Sequence, residues 1–291
     1  MPFPYLDENR DLNESARQEA GGSFIKLTDG TTHFELVGPE TAPAIVLVHG
    51  FSVPYFIFDP TFDFLTKAGF RVLRYDLFGR GTSDRPQAAY NIHLFVRQLK
   101  ELLAALNLPR VHLLGLSMGG PITAAFMDEN PHSVEKHILI DPAGAKRVRL
   151  SLLLEAVKLP IFGELALGLF GSVSLVKGIA SDLFDPDLVE HFQARYKIQM
   201  QYKGFKQAIL STMRNQMLES FFSTYERVGK LQKNTLLIWG KNDTTVPFEN
   251  SMEILKAIPH AEFHAIEACG HIPHYEKPEI VNKILMEFLE K

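Results

Sequence analysis

The chain has 291 residues, 46% of them hydrophobic, and a net charge of -4 from 30 basic and 34 acidic side chains; that length suits one large α/β domain with room for an inserted subdomain. No run of like charges marks a nucleic-acid surface, and the single cysteine, Cys269, excludes a disulfide framework and a cysteine metal cluster. The polar start lacks the basic and apolar regions of a secretory signal, so the expected setting is cytoplasmic.

In chain order, "FIKLTDGTTHFELVG" (Phe24–Gly38) reads as a hairpin turning at Asp29-Gly30, an antiparallel edge. Six apolar runs then read as strands: "AIVLVHG" (Ala44–Gly50), "FRVLRYDL" (Phe70–Leu77), "VHLLGLS" (Val111–Ser117), "HILIDP" (His137–Pro142), "NTLLIWG" (Asn234–Gly240) and "AEFHAIE" (Ala261–Glu267). Most are too continuously apolar to face water on one side, as expected of parallel strands covered on both faces. Helical patterns alternate with them. In "NIHLFVRQLKELLAAL", Ile92, Phe95, Leu99, Leu102, Leu103 and Leu106 share one face, and Ile280 to Leu289 repeat the pattern. The expected fold is therefore α/β, a mostly parallel eight-stranded sheet with helices on both faces and an inserted helical cap.

The cap is read from the segment Ala145 to Lys230, where no strand pattern occurs and Pro160, Gly163, Gly168, Gly171 and Pro186 punctuate helical stretches. It divides the chain into core (1–145), cap (146–230) and returning core (231–291). Its most apolar part, Leu150 to Ala180, is broken by Glu155, Lys158, Pro160, Glu164 and Lys177, so stable membrane insertion is not expected.

Catalytic groups in an open parallel sheet gather beyond the carboxyl ends of its strands. Ser117 stands there, between Gly115 and Gly119, in a turn where small neighbours leave the hydroxyl exposed. A serine needs a base and an orienting group. His271 follows the last strand, and Asp243 follows "LLIWG"; Asp141, one strand earlier, is the competing acid. His274 and His49 are read as structural, His112 and His137 as packed or surface residues, and Asp76 as an anchor for the "GRGTSDRP" loop. The backbone N–H groups of Phe51 and Met118 are the expected oxyanion donors. No metal or organic cofactor is expected.

"LVHGF", "RYDLFGRGTSDRP", "GLSMGGP", "WGKNDTTVP" and "GHIPHYEKPE" together resemble the α/β-hydrolase superfamily, in its serine-nucleophile, capped branch. The resemblance covers nearly the whole chain and implies a cap between the sixth and seventh strands; serine at 117 argues against the dehalogenases and epoxide hydrolases, whose nucleophile is aspartate. The expected activity is hydrolysis of a small-molecule ester with a short to medium, uncharged acyl chain, because the cap is rich in Phe, Met and Leu. The alternatives are a carbon–carbon bond hydrolase of meta-cleavage products, with Arg195, Arg214 and Lys206 as candidates for gripping a carboxylate; a cofactor-free haloperoxidase; and a non-catalytic receptor on the same fold.

Overall fold

The computed structural model describes residues 3, 5–148 and 152–291, without the side chains of 153 and 154. The first residues of the apolar stretch at 150–180 therefore lie outside the described residues. The hairpin forms as β1 (Ser23–Lys26) and β2 (Thr31–Val37), with Lys26 opposite Thr31 and the Leu27 amide donating to the Gly30 carbonyl. Strands β3 (Ala44–Val48), β4 (Arg71–Tyr75), β5 (Val111–Leu116), β6 (Val134–Ile140), β7 (Thr235–Gly240) and β8 (Glu262–Ile266) complete one eight-stranded sheet. Its order is β1-β2-β4-β3-β5-β6-β7-β8, with the β1–β2 and β2–β4 pairs antiparallel and the remaining pairs parallel.

Burial follows from that order. β3 and β7 are buried along their whole length, whereas β8, at the sheet edge, is mostly half-buried. β6 begins three residues before the expected His137, because Val134 pairs with Val111 across a register shift. Before the sheet comes α1 (Glu14–Ala20), whose start is capped by the Asn13 side chain. Between the strands lie α2 (Asp59–Lys67), α3 (Ile92–Ala105) and α4 (Gly119–Glu129). The expected apolar face of α3 is buried at Phe95, Leu99, Leu102 and Leu103, and Asn91 caps its start through the Leu94 amide at 3.1 Å, a contact worth about 1 kcal/mol.

Between β6 and β7 the described residues form helices: α5 (Leu152–Ala156), α6 (Phe162–Ala166), α7 (Ser172–Ser181), α8 (Val189–Met200), α9 (Phe205–Arg214) and α10 (Phe222–Lys230). A π turn over Leu167–Gly171 joins α6 to α7. The expected cap runs to residue 230, but α10 packs on α4 and on α11 (Ser251–Ala257), and its Tyr225 and Val228 belong to the core cluster. The chain therefore returns to the core one helix earlier than the sequence pattern indicates. The stretch 150–180 was read as too interrupted to span a membrane, but the overlapping run Phe162–Ser181 is long and apolar enough to do so by length and composition. The chain closes with α12 (Pro273–Glu276) and α13 (Pro278–Glu290).

Candidate active site

β5 ends where the chain must turn sharply into α4, and Ser117 takes the turn with φ +53°, a conformation that stores about 1–3 kcal/mol. Three backbone bonds hold it: its amide donates to Ile140, and its carbonyl accepts from Gly120 and Ala143. The flanking glycines are required by close approach. A Cβ on Gly119 would lie 2.1 Å from the Val48 carbonyl oxygen, and one on Gly115 would lie 2.5 Å from that of Gly119.

Asp243 stands after β7. One of its oxygens accepts from the Thr245 and Val246 amides at 2.8 and 2.9 Å, which leaves the other for His271 Nδ1 at 2.7 Å. That bond assigns the Nδ1–H tautomer and leaves Nε2 as the acceptor. Burial opposes charge on the ring and is the largest influence, yet the carboxylates of Asp243, Asp182 and Glu276 outweigh it and raise the His271 pKa above the usual histidine value.

Ser117 and His271 line one cavity of about 230 Å³ with Gly50, Phe51, Leu116, Ile272 and, from α7 and the turn after it, Ser174, Leu175, Gly178, Ile179 and Asp182. Phe51 follows the turn after β3, and Met118 directly precedes α4. Neither amide donates to another protein group among the described residues. Arg80 is fully buried and donates from Nε to the Phe51 carbonyl at 2.8 Å and from Nη2 to Thr212 Oγ1 at 2.9 Å.

Asp141 joins the group from the end of β6. An oxygen from each of Asp141 and Asp243 and a ring nitrogen of His271 lie within 4.8 Å of one another. Asp141 Oδ1 accepts from the Gly240 amide, while Oδ2 is buried without a partner. Burial, and then the charge of Asp243, push the Asp141 carboxyl well above the usual carboxylate range. His271 and Asp243 already bond each other, so this trio offers a cation little more than the free Asp141 oxygen.

The remaining candidates have other work. His49 donates from Nδ1 to the Gly50 carbonyl and accepts from the Leu77 amide at Nε2, and burial lowers its pKa to about 4. His274 bonds the Ile57 carbonyl and His137 bonds Thr123, both fully buried; His112 is half-buried on β5. Asp76 accepts from the Tyr55 and Thr82 amides and from His33, anchoring its loop. Arg195, Arg214 and Lys206 pair with Asp59, Glu164 and Asp7, and none lines the cavity.

Three residues were not singled out for the site: Arg80, Asp182 and Glu276. The Glu276 carboxylate accepts from the Phe184, Asp185 and Gly270 amides at 2.7, 3.0 and 2.8 Å, tying the cap to the His271 loop. Gly270 has an ordinary φ and matters for its small size, because a Cβ there would lie 2.6 Å from the Asp182 carbonyl oxygen.

Residues 45–284 match the model of the alpha/beta hydrolase family. The chain is 31% identical, over 95% of its length and 98% of the relative's, to a 2-hydroxy-6-oxononadienedioate/2-hydroxy-6-oxononatrienedioate hydrolase of Cupriavidus pinatubonensis. In fold it is similar to a meta-cleavage product hydrolase of Pseudomonas fluorescens IP01, with a TM-score of 0.75 and 23% identity, over 94% of this chain and 98% of the other. It is also similar to an enol-lactonase of Burkholderia xenovorans LB400, with a TM-score of 0.79 and 22% identity, over 92% and 100%. The chain belongs to the alpha/beta hydrolase family.

Proposed function

We propose that the chain hydrolyses carboxylic esters with short to medium, uncharged acyl groups. Ser117 Oγ attacks the ester carbonyl as His271 Nε2 takes its proton, and Asp243 holds the ring and steadies its charge. The Phe51 and Met118 amides stabilise the oxyanion. His271 then protonates the departing alcohol, and later takes a proton from the water that releases the acid from Ser117.

The observation that carries the substrate class is the cavity lining: beside Ser117 and His271 it holds apolar and hydroxyl groups and the Asp182 carboxylate, with no lysine or arginine among the described residues. An anionic substrate would meet no fixed cation there. Its volume, about 230 Å³, lies below the roughly 300–1,000 Å³ usual for drug-sized ligands and favours small acyl groups.

The relatives favour a second reading and support it better than the ester: hydrolysis of a carbon–carbon bond beside a ketone, by the same serine attack. The relative from Cupriavidus pinatubonensis acts on a dioate, as its name states, and Arg195, Arg214 and Lys206 are the cations that would have to leave their present partners to hold one. Comparing kcat/KM for p-nitrophenyl acetate, butyrate and octanoate with that for a 2-hydroxy-6-oxohexa-2,4-dienoate separates the readings. The ester reading expects the butyrate to lead. Faster turnover of the dienoate overturns it in favour of carbon–carbon cleavage.

A further inference from the structure

The catalytic cavity carries a charged group that triad chemistry does not require. Of the residues that line it, Asp182 alone has a carboxyl group, and no lysine or arginine among the described residues joins it there. Hydroxyls of Ser52, Ser174, Ser181 and Thr245 stand on the same lining, and most of the rest is apolar.

Asp182 belongs to the cap, but the loops that carry the triad hold it in place. Thr245 Oγ1 donates to Asp182 Oδ1 at 2.5 Å, and the Thr245 amide donates to Asp243. The Asp182 carbonyl accepts from the His271 amide at 2.8 Å. Two separate bonds therefore fix Asp182 beside the catalytic pair, and its Oδ2 has no hydrogen-bond partner among the described residues.

The field around that oxygen is negative. Asp243 and Glu276 act on Asp182 with the same sign, and the one opposing charge is His271 once protonated. A cleft lined by groups of one sign, with walls of low dielectric, gathers the opposite charge. Burial raises the Asp182 carboxyl above the usual carboxylate value, and a cation placed beside it favours the charged form.

Position decides which part of a substrate meets this group. His271 must hand its proton to the departing oxygen, so the leaving group lies on the His271 side of Ser117. Asp182 is on that side, bonded to the His271 amide, while Leu175, Ile179, Val53 and Ile57 offer an apolar wall.

We propose that Asp182 is a specificity-determining residue that selects esters whose alcohol carries a positive charge: the acyl chain lies on the apolar wall, and an ammonium on a short alcohol sits at Asp182 Oδ2. This rests on the ester reading and adds the half of the substrate which that reading leaves open.

The test compares two thioesters of one shape, butyrylthiocholine and S-(3,3-dimethylbutyl) thiobutanoate, in which carbon replaces the charged nitrogen. Thiol release gives kcat/KM for both with the parent chain and with Asp182→Asn. The parent is expected to favour the cationic thioester by about tenfold, a modest return for one charge pair partly removed from water. The variant is expected to lose that preference while still turning over the neutral thioester. A merely structural role, exerted through His271 or Thr245, would slow both thioesters alike and keep their ratio. A second measurement needs no variant: tetramethylammonium chloride, set against sodium chloride at equal strength, should raise KM for the neutral thioester in the parent. Equal rates on the two thioesters, a preference for the neutral one, a ratio that survives in Asp182→Asn, or an unmoved KM overturns the proposal and leaves the ester reading standing. Turnover of neither thioester, with a 2-hydroxy-6-oxohexa-2,4-dienoate cleaved, overturns both.

Discussion

Two carboxyl groups crowd the His271 ring, and their surroundings separate them. Asp243 has its oxygens engaged by His271 and two amides. Asp141 has one amide and an unpartnered buried oxygen, and burial beside Asp243 favours its neutral form. Asp243→Asn is therefore expected to lower kcat by about 10⁴-fold by stabilising the wrong imidazole tautomer, whereas Asp141→Asn replaces one neutral donor with another and leaves kcat near the parent value. Steady-state kinetics with circular dichroism on both variants checks this. The pH profile carries a second expectation. His271 must be neutral to accept the Ser117 proton, and its pKa lies above the ordinary value, so kcat/KM falls on the acid side as pH drops through that raised pKa. Asp182→Asn removes one of the charges that raise it, and the acid limb should move to lower pH; an unmoved limb contradicts the assignment. The positions of Ser117, Asp243 and His271 beyond strand ends were legible because each follows an apolar strand. Asp182 was not, because its importance lies in a contact with a loop that returns to it only near the end of the chain.

At the scale of elements, Glu276 and Arg80 tie the loops carrying His271 and Phe51 to other parts of the chain. Glu276 accepts three amides that span the cap and the His271 loop. Glu276→Ala leaves them without that acceptor and is expected to lower stability by about 3 kcal/mol, read as a shift of the urea midpoint at unchanged m. Arg80 fixes the Phe51 carbonyl, and so anchors the residue whose own amide is the proposed oxyanion donor. Arg80→Met keeps much of the buried volume but frees that loop; kcat is expected to fall by as much as about 10²-fold, a size typical of a small misplacement of catalytic groups. Neither role is visible in the sequence. "GRGTSDRP" and "GHIPHYEKPE" announce loops, but the partner of Glu276 lies 92 residues away in Phe184. The strands were legible because burial on both faces imposes an unbroken apolar run. The end of the cap was not, since α10 is amphipathic like the cap helices and only its packing on α4 and α11 assigns it to the core.

For the molecule as a whole, a parallel sheet supplies three strand ends from which Ser117, Asp243 and His271 converge, and the segment between β6 and β7 roofs them with a charge-poor helix. The alternation of strand and helix patterns was enough to give the sheet and the roof. It could not give the exposed outer face of the roof, because an apolar helical pattern reads the same whether it faces a core or a solvent boundary. The central claim is that Ser117 is the nucleophile of a serine hydrolase. Its most direct test is incubation with a fluorophosphonate followed by peptide mass spectrometry of the parent chain and Ser117→Ala. The account predicts a single covalent adduct on the peptide containing Gly115–Gly119, absent from the folded variant. Labelling at Cys269 or Ser83 with Ser117 unmodified, or undiminished labelling of the variant, would contradict it.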